Sequence, residues 1–309
     1  MNRRVQFGIA LPQIFPHEPI QTARIRDVLA RAEALNFHSV WVQEQILGPT
    51  PSLEPVELLT YAAAVTERLR LGTAVLLTAL RSPVHLAKSL ATLDHLSQGR
   101  LIVGLGLGGN TRVYPAYGIS TDHRVARFVE GVKLMKQLWT EPHVTFEGQF
   151  WRIDRASIEP KPVQKPYPPI WLGAHRAPAI RRGVELGDGF IGAGASSTAE
   201  FVEAVRMLRA FLADAHRDPA TFSICKRVYM AVDKDKARAG RRLVEWFSSF
   251  YQNASLAERV SVWGDTQECI DKLTEIVAGG AGLIILNPVF DEMEQLERLA
   301  MEVLPRVSG

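Results

Sequence analysis

Short apolar runs alternate with longer segments of helical period along the whole chain, and this alternation restricts the fold more than any single motif does. Strand-type segments fall at 5–11 (VQFGIAL), 39–43 (SVWVQ), 71–77 (LGTAVLL), 101–106 (LIVGLG), 169–172 (PIWL), 189–191, 223–232 and 283–286 (LIIL). Helical segments separate them at 22–35, 55–66, from Pro83 onward, and at 122–139, 177–186, 199–216, 236–250 and 266–278, with a closing helix at 293–304. In the first helix Ile25, Val28, Leu29 and Ala32 share one face. Strands that are apolar throughout belong to a parallel sheet covered on both sides. A doubly wound sheet would use fewer strands and leave a second domain. The expected fold is therefore an α/β, (β/α)8 TIM barrel formed by residues 1–309 as one domain. The rhythm breaks once, at 141–168, where Pro142, Pro160, Pro162, Pro166 and Pro168 cluster and a hairpin is expected around Glu147-Gly148. Because the alternation resumes directly afterwards, this stretch reads as an insertion after the fourth βα unit.

Composition removes several function classes. Lys and Arg total 36 against 33 Asp and Glu, a net charge of +3 with no long run of one sign, so no nucleic-acid-binding face is indicated. Cys225 and Cys269 are far apart and form no CxxC or Cys/His cluster, which argues against a disulfide framework or a structural zinc site. No apolar run reaches the length of a membrane span, and the segment at 5–11 is too short for a signal h-region. A cytoplasmic enzyme with no membrane partner is the expectation.

The literal GxGxxG at Gly104, Gly106 and Gly109 is followed by loop chemistry at 110–115 and lies on the fourth strand. A dinucleotide fingerprint needs a helix at that point, on the first strand. The glycines instead read as a strand-end loop that lets a flat ligand approach the backbone. Barrel active sites lie at the C-terminal strand ends. The polar residues there are Gln13, Gln43, Glu44, Gln45, Thr78, Asn110, Arg112, His175, Ser196, Ser197 and Asn287. Glu44 is the only carboxylate directly at a strand end in the first half, and reads equally as an acid/base or as a loop carboxylate paired with arginine. His175, before the helix opening with Ala177-Pro178, fits an anion site at a helix start, to which the run 192–197 adds donors; the alternatives are an exposed loop histidine and an ordinary capped connection. His85, His95 and His123 form no metal set, and no GxSxG is present. Arg124, Arg127 and Glu130 read as a solvated or interface face of a helix, with Arg124 near enough its start to reach the site.

Several segments in sequence order carry a resemblance over essentially the whole chain. They are LRLGTAVLLTALRSPVHLAKSLATLDHLSQGRLIVGLGLG at 69–108, RVARFVEGVKLMKQLW at 124–139, PPIWLGAHRAPAIRRGVELGDGF at 168–190 and NPVFDEMEQLERLAMEVLP at 287–305. The sequence resembles the bacterial luciferase-like monooxygenase superfamily, particularly its branch using the deazaflavin coenzyme F420 (8-hydroxy-5-deazaflavin). The resemblance implies a non-prolyl cis peptide at Ala74-Val75 behind the central cofactor ring, with Asn110 near the ring system. It places the cofactor phosphate on Gly173, Ala174 and His175 and on Ala193, Gly194, Ala195 and Ser196. Relatives commonly carry an acid–histidine pair after the second strand; here the matching positions are Glu44 and Gln45, and glutamine cannot exchange a proton near neutral pH.

The resulting expectation is an F420-dependent oxidoreductase passing hydride between the cofactor and a small organic substrate, with Glu44 and Gln45 as the catalytic pair and the 141–168 insertion covering the site. The alternative keeps the fold but uses reduced FMN and oxygen, as a monooxygenase served by a separate reductase. A third reading, kept open by Gln45, is a flavin-binding homologue without catalysis. Homodimerisation through barrel helices is also implied by the resemblance. No metal is expected.

Overall fold

The computed structural model describes residues 4–15, 19–109 and 111–307. Its strands are β1 (Gln6–Ala10), β2 (Ser39–Val42), β3 (Arg70–Thr73), β4 (Leu76–Leu77), β5 (Leu101–Gly106), β6 (Val144–Glu147), β7 (Arg152–Ala156), β8 (Ile170–Ala174), β9 (Gly189–Gly192), β10 (Ser223–Val232), β11 (Ser261–Gly264) and β12 (Leu283–Pro288). The helices are α1 (Thr22–Ala34), α2 (Pro55–Val65), α3 (Pro83–Leu96), α4 (Arg124–Thr140), α5 (Ala177–Leu186), α6 (Thr198–Asp214), α7 (Lys236–Tyr251), α8 (Leu256–Val260), α9 (Thr266–Ala278) and α10 (Glu292–Arg298). Parallel pairing runs β1-β2-β3-β5-β8-β9-β10-β12 and closes from β12 onto β1, with β4 continuing β3 along β5. The (β/α)8 barrel expected from the alternation is the fold observed.

The barrel interior is filled unusually. Trp41 of β2 and Trp171 of β8 stack across it with ring centroids 5.6 Å apart, a contact worth about 0.5–1.5 kcal/mol beyond the area it buries. The indoles fit because glycines of other strands face them. A Cβ on Gly8, Gly72 or Gly189 would lie 2.5, 2.3 or 2.5 Å from an indole atom. Ile102, Ile191, Cys225, Leu283 and Ile285 complete this inner cluster. This plug occupies the lumen below the C-terminal strand ends, where active sites of such barrels lie.

Three local expectations need correction. The run 71–77 reads as one strand, but it is broken: β3 pairs with β5 only through Leu71 and Gly72, and pairing resumes at Leu76. Between them the chain bulges through Ala74-Val75, which is a cis peptide as the resemblance implied. Thr73 makes the break tolerable. Its Oγ1 donates to the Gly104 carbonyl and accepts from the Gly104 amide, both at 2.8 Å, replacing the ladder bonds lost there. Secondly, β11 was not expected. It lies outside the barrel and pairs with Tyr229–Val232, on the edge of the long β10 whose pairing with β9 ends at Lys226.

The third correction concerns 141–168. Its β6–β7 hairpin forms as expected but lies along α4 on the outer helix layer. Glu130 accepts from the amides of Gln149, Phe150 and Trp151, and Arg127 lies 4.5 Å from the Trp151 ring centroid. The return segment is held from the side by Lys88 to the Glu159 carbonyl and by Gln164 to Asp94. None of this insertion lines the cavity at the barrel mouth. Of the two readings of this helix face, solvated or interface, Arg127 and Glu130 take the second, as anchors of the insertion.

The glycines of the fourth strand owe their identity to the bulge. A Cβ on Gly104 would stand 1.7 Å from the Thr73 carbonyl oxygen, and one on Gly106 would stand 2.6 Å from Val75 Cγ2. Gly104→Ala is expected to cost about 1–3 kcal/mol or more by overpacking, whereas Gly109→Ala, with nothing within 4 Å, should stay within about 0.5 kcal/mol of the parent. Chemical denaturation of the two variants measures the contrast.

Candidate active site

The C-terminal ends of β1, β2, β10 and β12 surround a cavity floored by Trp41 and walled by Gln13, Gln43, Arg227, Trp246 and Asn287. Gln13 is structural: its amide donates to the carbonyls of Gln43 and Leu53 and accepts from the Gln43 amide, tying β1 to β2. Across the mouth, on the β4–β5–β8 side, Val75 lies against Gly106 and Gly173, where a Cβ would approach it to 2.6 and 3.0 Å. These residues form a side-chain-poor wall at the bulge, and Ala74 joins that wall to the cavity.

Glu44 does not face the cavity as a free carboxylate. Its side chain has no exposure, accepts from Arg81 at 2.8–2.9 Å and also takes the Leu77 amide. Burial pushes its carboxyl above the ordinary range while Arg81 pulls against that. Arg81 also pairs with Glu54, which caps α2. The triad therefore fastens the end of β2 to the chain just after the bulge, and of the two readings open in the sequence the arginine-paired one describes its geometry. Gln45 is half-buried, and its Oε1 has no hydrogen-bond partner among the described residues. The same is true of Gln43 Nε2, Thr78 Oγ1 and Tyr117 Oη. Buried polar atoms without partners are costly, and a bound polar ligand is one way to satisfy them.

Of the expected phosphate loops, Gly173 and Ala174 sit in register with Ile191 and Gly192, so the loops after β8 and β9 leave the barrel side by side. His175 is exposed at the start of α5, and Arg176, at the N-cap position, makes no side-chain capping bond. Ala193, Gly194, Ala195 and Ser196 form a loop that enters α6 through a capping box of Ser197 and Glu200. Asn110, expected beside the ring system, lies outside the described residues.

Besides Arg81, three cations among the described residues at this end of the barrel were not identified from the sequence. Lys226 is buried and its Nζ donates to the Ala193 carbonyl at 2.5 Å and to the Ser196 carbonyl and hydroxyl at 2.8 and 3.1 Å, holding the β9 loop from below. Arg259 reaches the same loop from α8 through the Ala195 carbonyl at 3.1 Å and pairs with Glu200. Arg227 points into the barrel. The signal was legible: Lys226-Arg227 is an adjacent charged pair inside the otherwise apolar β10, and the twofold period of a strand sends one to the helix layer and the other to the lumen.

Burial pushes the Lys226 amine down to about 7. In the unfolded chain the group stays protonated to near the ordinary lysine value of 10.5, so between those values the unfolded state binds more protons and folding stability from this group rises with pH. A melting-temperature profile from pH 7 upward should show that rise in the parent and not in Lys226→Met. Glu44→Gln should cost about 1–3 kcal/mol, because it removes one of the two carboxylates on the half-buried Arg81 and weakens the acceptor of the Leu77 amide; equilibrium unfolding checks it.

The family model described as luciferase-like monooxygenase matches residues 5–260. An F420-dependent glucose-6-phosphate dehydrogenase of Nakamurella multipartita is 26% identical over 94% of each chain. Uncharacterized mycobacterial relatives are 42% identical over 123 residues, where the match spans 40% of this chain and 43% of theirs. Among solved structures, an F420-dependent secondary alcohol dehydrogenase in complex with an F420-acetone adduct superposes with a TM-score of 0.85 at 19% identity, over 99% of this chain and all of that one. The monooxygenase RslO1 of Streptomyces bottropensis superposes with a TM-score of 0.81 at 27% identity, over 98% of this chain and all of that one. Family model, topology and strand-end architecture agree: the chain belongs to the luciferase-like monooxygenase family.

Proposed function

We propose that the protein is an F420-dependent oxidoreductase acting on a small organic substrate at the barrel mouth. The observation that carries this reading is the wall of Val75, Gly106 and Gly173. A flat ring can lie against it without meeting a protruding side chain, and the partnerless polar atoms of Gln45, Thr78 and Tyr117 stand on neighbouring strand-end segments. The full-length likeness to an F420-dependent dehydrogenase supports the same cofactor. When bound, the deazaflavin supplies hydride exchange with the substrate.

The chain's own residues orient and enclose. The loops after β8 and β9 would receive the phosphate, with Lys226 and Arg259 fixing the backbone of the second loop rather than touching the anion themselves. Arg176, exposed beside them, adds positive charge. Trp41 and Trp171 exclude water from below. Glu44 acts as a positioning residue, holding the Leu77 amide and hence the segment that follows Val75. Gln45 orients a ligand by accepting a hydrogen bond at Oε1, since its amide carries no titratable proton. Among the described residues the cavity lining holds no histidine, and its one carboxylate, Glu292, is engaged by Arg24, so orientation in a dry pocket is what the protein contributes.

The 27% likeness to a monooxygenase favours a second reading, in which reduced FMN and oxygen replace F420 and a separate reductase supplies the flavin. Titration of the apoprotein with F420 and FMN in parallel, followed by tryptophan fluorescence, separates the two. F420 is expected to bind the more tightly, and Gly173→Val to weaken it at least about tenfold by filling the wall while leaving the melting temperature within a few degrees. Preference for FMN would overturn the proposal in favour of the second reading.

A further inference from the structure

Arg227 is a cation enclosed in the barrel, 8% exposed, and no carboxylate pairs with it among the described residues. Its acceptors are all neutral. Nε donates to Asn287 Oδ1 at 3.1 Å and Nη2 to the same oxygen, while Nη1 donates to Gln43 Oε1 and reaches the Ala74 carbonyl at 3.4 Å. The guanidinium carbon lies 5.0 Å from the Tyr229 ring centroid. A guanidinium carries five N–H donors, so one Nη2 hydrogen is left without an acceptor here.

Gln43 sharpens the point. It too is 8% exposed, and because its oxygen is turned to Arg227, its Nε2 has no partner among the described residues. Arg227 and Gln43 line the same cavity, which thus presents a positive charge and unused donors with no acceptor to match them. Glu292, the carboxylate on the rim, is engaged by Arg24. Leaving a charge buried without a counter-charge is costly, and charge-assisted hydrogen bonds to an anionic oxygen are the strongest way to offset it.

We propose that this cavity binds the carboxylate of an organic-acid substrate, anchored by Arg227 with Gln43 Nε2 as the second donor. The inference rests on the F420 reading above for what happens next to the acid, but not for the anchoring itself. The cavity lies between β1, β2, β10 and β12, while the bulge wall lies on the β4–β5–β8 side. Ala74 is the point where they meet, so an acid held by Arg227 places its attached carbon skeleton beside the ring site.

The test uses the F420-loaded protein and the apoprotein, each titrated with acetate and benzoate and with their neutral counterparts acetamide and benzamide. Melting temperature and tryptophan fluorescence report binding, since Trp41 and Trp246 line the cavity. The acids are expected to bind at least about tenfold more tightly than the amides, and Arg227→Met to erase that preference. Should Arg227→Met fail to fold, Gln43→Glu supplies the missing anion in place: it should raise the melting temperature, abolish acid binding and leave F420 affinity within about twofold of the parent. Equal binding of acids and amides, no binding of either, or an unchanged or lowered melting temperature in Gln43→Glu would overturn the proposal. Loss of F420 affinity in Arg227→Met or Gln43→Glu would also overturn it, by assigning these residues to the cofactor. Acid binding by a parent that takes up no F420 would sustain the anchor and defeat the cofactor reading instead.

Discussion

The pair of hydrogen bonds between the Thr73 hydroxyl and the backbone of Gly104 holds the arrangement on which the rest of the barrel mouth depends. A closed parallel barrel has no free edge, so a break in one strand leaves backbone donors and acceptors of its neighbour buried and unmatched. One hydroxyl, acting as donor and acceptor together, meets both. With that junction secured, the chain swings out through Ala74 and Val75, Val75 settles over Gly106 and Gly173, and the Glu44–Arg81–Glu54 triad fixes the segment that follows. A wall without protruding side chains results on one side of the mouth, and a polar cavity on the other.

The stacked tryptophans below give this arrangement its depth. Because Trp41 and Trp171 occupy the lower lumen against glycines, the upper lumen is left to Arg227, Gln43 and Asn287 instead of to another layer of aliphatic side chains. The interior of the barrel is thus apolar at its base and charged at its mouth. A cation can be enclosed there because several neutral dipoles converge on it, which lowers the cost of burial without cancelling the charge.

How much of this was legible in the sequence depends on how local each feature is. The barrel was, because fully buried parallel strands write themselves as apolar runs. The break in LGTAVLL was not, since its residues are as apolar as an unbroken strand's; its position came from the resemblance alone. Glu44 was visible as a strand-end carboxylate, but its engagement depends on Arg81 and Glu54, residues on other segments that no local pattern links to it. The insertion's hairpin was readable from its turn, whereas its place along α4 rests on Glu130 and Arg127, whose spacing fits a solvated helix face as well as an interface. β11 escaped because four residues, SVWG, carry no period of their own and form a strand only along the edge of β10 beyond its pairing with β9. Lys226-Arg227 was the signal passed over: two charges in a buried strand demand a partner on each face.

The division of the mouth into a cofactor wall and an acid-binding cavity is tested most directly by a crystal structure of the protein with F420 bound. The account predicts the deazaflavin ring against Val75, Gly106 and Gly173, its phosphate at the loops after β8 and β9, and the cavity at Arg227 left open beside it. A ring seated in the Arg227 cavity, with its carbonyls on Arg227 and Gln43, would contradict that division.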